Sequence, residues 1–148
     1  MVRYLVGEAH ADVNQAKTDV GATPLSIATQ IGNLDVVRYL AGEAHADVNQ
    51  ARTDDGATPL YIAAQKGNLD VVRYLAGEAH AEMNQARTAT GASPLFIAAK
   101  NSNFDVVRYL AGEAHADVNQ ARTDDGATPL YIAAQNGNLD RVRYLTGE

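Results

Sequence analysis

The sequence predicts an all-α repeat solenoid built from stacked helix–turn–helix units. Three observations lead there. The triplet Arg-Tyr-Leu begins at Arg3, Arg38, Arg73, Arg108 and Arg143, a spacing of 35 residues each time. The only prolines, Pro24, Pro59, Pro94 and Pro129, and the only histidines, His10, His45, His80 and His115, keep the same beat. Within a period the apolar residues recur at helical spacing, as at Leu69, Val72 and Leu75.

The period divides the chain, read as one domain over residues 1–148, into a partial unit 1–17 and units 18–52, 53–87, 88–122 and 123–148. Residues 53–87 show why a unit takes its local form. Thr58 suits an N-cap, where its hydroxyl accepts from a free backbone N–H. Pro59 suits the first helical position, where a missing N–H costs nothing. Leu60, Ile62, Ala63 and Ala64 then form the apolar face of a short first helix, and Gly67 ends it in a left-handed conformation. Asn68 is placed to cap a second helix, with Asp70 in its first turn at the positive end of the dipole. A polar, extended segment follows, with a tight turn at glycines such as Gly56. Neither helix buries its apolar face alone. Stacked neighbours do, given three or more units.

Gly56, Thr58-Pro59-Leu60, Ala63-Ala64, Gly67, Val71-Val72 and Ala46-Asp47-Val48-Asn49 follow the pattern G-x-T-P-L-x-x-A-A-x-x-G, V-V, A-D-V-N. In these residues the chain resembles the ankyrin repeat family, four times over and along essentially its whole length. The resemblance implies an antiparallel helix pair and a β-hairpin-like loop per unit, stacked into a curved solenoid. It also implies binding of a partner protein on a concave face lined by loop tips and first helices. Three departures stand out. The period is two residues longer than is usual for the family, with one extra residue before Asp47 and one after Asn49. The family's histidine after Thr-Pro-Leu is replaced by Ser26, Tyr61, Phe96 and Tyr131, whose rings are expected to compensate by packing. The glycine that usually ends the second helix falls near His45. So His10, His45, His80 and His115 are candidate left-handed caps, with Gly42 and its equivalents inside the last turn. The alternative is that Gly42 itself stops the helix.

Composition excludes several functions. Twelve Lys and Arg against eighteen Asp and Glu give a net charge of −6, which argues against a nucleic-acid partner. No apolar run approaches the roughly 20 residues of a membrane helix, so no membrane partner is expected. With no cysteine, there is no disulfide framework or thiolate site, and the cytoplasm is the expected compartment. The histidine column does not suggest a metal site, because packed helices lie about 8–10 Å apart and metal–ligand bonds are about 2 Å. Asp54-Asp55 and Asp124-Asp125 read as turn chemistry rather than a calcium loop, with Arg52 and Arg122 offsetting their charge. The Arg-Tyr columns read as helices with partly buried rings and solvated guanidinium groups. No phosphate-binding, nucleophile-elbow or zinc-protease motif occurs. The chain is therefore expected not to be an enzyme and to need no cofactor or metal.

Differences among the copies nominate a binding face. They fall at the loop tips, Asp19-Val20, Asp54-Asp55, Ala89-Thr90 and Asp124-Asp125. They also fall along the first helices, at Ser26, Tyr61, Phe96 and Tyr131, at Gln30, Gln65, Lys100 and Gln135, and at Ile31, Lys66, Asn101 and Asn136. Others lie outside that face, at Leu34/Phe104, Gly32/Ser102 and Asp47/Glu82, and drift among recent duplicates is the alternative source of them all. The expected function is a protein–protein interaction scaffold with a partner of unknown identity. The alternative, motivated by the near-identity of the copies, is a structural or engineered repeat array without a dedicated partner. At the last unit, Val106 gives way to Arg141 and Ala111 to Thr146, read as polar capping of an end face. Residues 1–7 form a second helix without its partner first helix. A monomer is expected, with end faces that allow head-to-tail association.

Overall fold

Proline after a hydroxyl residue starts every first helix. In the computed structural model, which describes residues 1–148, Thr23, Thr58, Ser93 and Thr128 accept through their side-chain oxygens from the N–H groups of Ser26, Tyr61, Phe96 and Tyr131 at 3.1–3.2 Å. The helices that follow are α2 (Pro24–Ile31), α4 (Pro59–Lys66), α6 (Pro94–Lys100) and α8 (Pro129–Gln135). Left-handed glycines end two of them, Gly32 at φ 83° and Gly67 at φ 70°. In the third copy Ser102 adopts φ 66° at the equivalent place. The second helices are α3 (Leu34–Arg38), α5 (Leu69–Arg73), α7 (Phe104–Arg108) and α9 (Leu139–Thr146), preceded at the N-terminus by α1 (Val2–Gly7). Asn33, Asn68 and Asn138 cap α3, α5 and α9 through their side-chain oxygens. Asn103 caps nothing with its oxygen. Its amide nitrogen donates instead to the carbonyls of Ala64 and Gln65 on the preceding first helix.

The long repeat period has a structural answer. Helices α3, α5 and α7 each widen into a π-helical turn, Tyr39–Glu43, Tyr74–Glu78 and Tyr109–Glu113. Ala44, Ala79 and Ala114 donate five residues back, to Tyr39, Tyr74 and Tyr109, at 2.8–2.9 Å. A π-turn holds one more residue than an α-turn, which takes up the extra residue before Asp47. The chain then reverses at His10, His45, His80 and His115, all left-handed at φ 55–56°. The histidines are the caps, as expected, and Gly42 lies inside the helix. Gly42 is small for a different reason: a Cβ there would sit 2.8 Å from the Tyr74 hydroxyl of the next helix pair. Tyr109 crowds Gly77 in the same way.

Stacking is fastened by repeated hydrogen bonds as well as apolar burial. Tyr39, Tyr74 and Tyr144 donate to the carbonyls of Arg3, Arg38 and Arg108, one unit back, at 3.4, 3.3 and 3.0 Å. The guanidinium groups of Arg3, Arg38 and Arg73 lie 5.3–5.6 Å from the ring centres of Tyr39, Tyr74 and Tyr109. These arginines are thus stacked on the next unit's tyrosine as well as solvated. In the loops, Asn14, Asn49 and Asn84 accept from the N–H groups of Asp47, Glu82 and Asp117 at 2.8–2.9 Å. The residue after each asparagine, the second extra one, reaches back as well: Gln85 and Gln120 donate to the carbonyls of Asn49 and Asn84. Each loop tip is closed like a hairpin, with Arg52 N–H on Ala57 O and Gly56 N–H on Arg52 O. Only Arg87 and Ala92 form a β-bridge, and no strand develops.

The core is one continuous layer between successive pairs. Leu25, Leu40, Leu60, Leu75, Leu95 and Leu110 are buried in it, as are Val37, Val72 and Val107. The first valine of each Val-Val pair faces the preceding unit, which corrects the expectation for Arg141. That residue occupies the same column as Val71 and Val106 and is itself buried, 5% exposed. It caps no end face, because α7 and Ser102 already cover it. Its Nη2 donates to Ser102 O at 2.7 Å, its cation lies 6.0 Å from the Phe104 ring centre, and Nε and Nη1 have no acceptor. Thr146 is exposed, in keeping with its polarity. At the N-terminus α1 buries no residue completely. No helix is long and apolar enough to cross a membrane.

Candidate partner-binding face

The tips owe their shape to side chains that bond their own backbone. Asp55 and Asp125 accept from the N–H groups of Ala57 and Ala127 at 2.9 and 3.0 Å. Thr90 does the same for Ala92 through its hydroxyl. Acid is therefore replaceable by hydroxyl at that place, because both supply an oxygen two residues before the amide. This is the turn role expected for the paired aspartates.

Arginine neutralises the acids, as expected of Arg52 and Arg122, and it also ties neighbouring tips together. Arg52 holds Asp54 through two hydrogen bonds and lies 3.9 Å from Asp55. Arg122 holds Asp124 in the same two-pronged way and lies 3.6 Å from Asp125. Lys17 pairs with Asp19 at 2.9 Å. These hydrogen bonds hold the carboxyls of Asp19, Asp54 and Asp124 below the ordinary carboxylate range. Arg87 has no acid in its own tip, which reads Ala89-Thr90. It reaches back to Asp55 at 2.9 Å and carries its cation 5.8 Å from the Tyr61 ring centre. Arg122 lies 5.2 Å from the centre of Phe96. Sequence reasoning did not place Arg87 in the face. The signal was available: a tip that loses both acids and keeps its arginine leaves a cation to be paired elsewhere.

The varied residues separate by burial. Tyr61 and Phe96 are 2% and 1% exposed, and Ser26 is equally buried. These three belong to the core between units and offer no surface to a partner, which corrects their place among the candidate contacts. The expected packing of the rings is what the structure shows. Burial pushes the Tyr61 phenol up from its ordinary pKa, against the opposing effect of Arg87. Tyr131 stands in the same column, in the last helix pair of the structure, and is 59% exposed. Gln30, Ile31, Gln65, Lys66, Lys100, Asn101, Gln135 and Asn136, at the ends of the first helices, are all exposed. So are Asp19, Asp54, Ala89, Asp124 and Asp125 at the tips, with Val20, Asp55 and Thr90 half-buried. Asn101 and Asn136 donate to the carbonyls of Gln65 and Lys100 at 3.1 and 3.0 Å, bridging adjacent first helices. Lys66 and Lys100 take part in no ion pair. In this they differ from the cations of the loop tips, Lys17, Arg52, Arg87 and Arg122, each of which pairs with a tip aspartate.

Comparison with known families matches residues 1–87 and 79–148 to ankyrin repeats, in three copies. Comparison with curated proteins finds none that matches the chain.

Proposed function

This chain belongs to the ankyrin repeat family, and from that premise we propose that it is a scaffold that binds a partner protein through its loop tips and the exposed ends of its first helices. Ankyrin repeats are generally protein-interaction modules. One observation carries the finer reading. Once the buried ring column is set aside, most of the exposed differences among near-identical copies lie along this one face. The stacking columns, by contrast, are nearly constant. The tip acids are occupied by Lys17, Arg52, Arg87 and Arg122, so Lys66, Lys100 and the amides of Gln30, Gln65 and Gln135 are the groups free to meet a partner.

Affinity capture from the source cell, with the native chain and a Lys66→Ala/Lys100→Ala/Gln135→Ala variant as baits, tests the reading. A partner retained by the first bait and lost or weakened tenfold on the second supports it. A partner held equally by both places binding elsewhere. Near-identity of the copies supports a second reading, a stable array with no dedicated partner, and repeated capture of one specific protein rules that out.

A further inference from the structure

Three loop tips share one backbone and differ in their charges. They read Arg52-Thr53-Asp54-Asp55-Gly56, Arg87-Thr88-Ala89-Thr90-Gly91 and Arg122-Thr123-Asp124-Asp125-Gly126. Gly56, Gly91 and Gly126 are left-handed at φ 69–73°, and each donates its N–H to the carbonyl of its own arginine. Side chains are therefore comparable place by place. Arg52 and Arg122 spend Nε and Nη2 on a carboxylate of their own tip. Arg87 finds no acid there. Its Nη2 reaches Asp55 of the preceding tip at 2.9 Å, and its buried Nε has no acceptor.

We propose that Thr90 is a phosphorylation site and that its phosphate draws Arg87 away from Asp55. Thr90 stands where Asp55 and Asp125 stand and does their work, its Oγ1 accepting from the Ala92 N–H at 3.3 Å. The tip thus already accommodates a negative charge at this place. The arginine of the same tip faces it: Asp55 and Asp125 lie 3.9 and 3.6 Å from the Nε of Arg52 and Arg122. A phosphate extends one bond further from the backbone than a carboxylate, which closes that gap. It carries a charge of about −1.5 to −2 at pH 7 and three acceptor oxygens, enough for both Nε and Nη2 of a guanidinium. In the transfer, Thr90 Oγ1 bonds to the γ-phosphorus of a nucleoside triphosphate. The bond from that phosphorus to the β–γ bridging oxygen breaks, the nucleoside diphosphate leaves, and the hydroxyl proton passes to a base of the kinase.

Thr88 does not serve in its place. Like Thr53 and Thr123 it recurs in every unit, and its hydroxyl lies where a Cβ on Gly56 of the preceding tip would come. A phosphate there collides with that tip. At Thr90 it meets a cation instead. The modification gives the third tip the acid that the others carry in Asp19, Asp54, Asp55, Asp124 and Asp125. It also releases the side-chain tie between the second and third tips, leaving the bond from the Ala89 N–H to Asp55 O at 3.2 Å. The site stands on the tips alone. Only its effect on a partner rests on the reading of this face as a binding surface.

Arg87 lies three residues before Thr90, so the test uses a protein kinase that requires arginine at that spacing. The full chain is incubated with it and ATP, and the site is mapped by mass spectrometry. The expected product carries a single phosphate, on Thr90. Thr90→Val and Thr90→Asp each reduce incorporation at least tenfold. Thr90→Asp installs the residue of the second and fourth tips, so circular dichroism is expected to show native helix content. In the phosphorylated chain, nitrogen NMR of the arginine side chains follows the phosphate through its second ionisation, ordinarily at ~6. The Arg87 Nε–H signal is expected to shift and to exchange more slowly with solvent as the phosphate ionises, with a midpoint below that value, while Arg52 and Arg122 stay still. No incorporation, incorporation on Thr88 alone, or equal incorporation into both variants overturns the site. An Arg87 signal that does not respond overturns its capture by the phosphate.

Discussion

Truncating Phe96 to alanine is expected to cost far more than truncating Tyr131, although both stand at the same position of the repeat. Phe96 is 1% exposed. Returning its side chain to water forfeits about 2–3 kcal/mol of transfer free energy. The void left behind, on the order of 80–100 Å³ before relaxation, adds about 2 kcal/mol at ~24 cal/mol per Å³. Arg122 also loses the ring over which it lies, a contact of about 0.5–1 kcal/mol. Partial collapse returns some of this, so the expected loss is about 3–5 kcal/mol. Tyr131 is 59% exposed and leaves no enclosed void. Its truncation forfeits less than half of the transfer contribution, about 1 kcal/mol. Urea unfolding of the full chain, followed by far-ultraviolet circular dichroism, measures both, provided the slopes of the transitions agree. If Phe96→Ala costs less than about 1 kcal/mol while partner affinity collapses, the ring is a binding residue and the burial argument fails.

Arg141→Val restores the residue of its column and is expected to raise stability by about 1–2 kcal/mol in the same assay, because a buried cation with two unpaired nitrogens and no carboxylate disappears; no gain refutes this. His45→Gly is expected to stabilise by about 0.5 kcal/mol, since the left-handed backbone costs glycine nothing and the imidazole is exposed; a loss would give the imidazole a role of its own. The carboxyls of Asp19, Asp54 and Asp124 are expected to titrate by NMR below the ordinary value of ~3.9. Their folded pKa values are depressed, so their stabilisation is present above the unfolded value and lost as pH falls through the folded one. Arg52→Gln should return Asp54 toward its ordinary value, and no movement there removes Arg52 as the cause.

Most of the fold was legible in the sequence because it depends on local rules applied at a fixed beat. Thr-Pro, Gly67 and Asn68 act on backbone groups within four residues, so their effect needs no tertiary knowledge. The left-handed histidines were legible for the same reason. The π-turn was not. Spacing showed that a residue was extra, but whether a helix or a loop absorbs it depends on what packs above. Here the helix absorbs it, and the widened turn places Gly42 beneath the Tyr74 hydroxyl of the next unit.

The candidate face was less legible, and the ring column shows why. Variation among copies marks tolerance, and both an exposed position and an adaptable core position tolerate change. Ser26, Tyr61 and Phe96 vary although all three are buried between units, with Arg87 or Arg122 laid over the larger rings. Arg141 carries the same lesson in reverse. A charged residue near the end of an array invites a capping role, but the direction a column faces is fixed by which neighbour it meets. Val71 and Val106 are covered from the N-terminal side, so Arg141 is too. A repeat sequence therefore reports which positions are equivalent, while the stack decides which way each one points. Tyr61 and Tyr131 have the same identity and the same register, and only the presence of a following unit makes one core and the other surface.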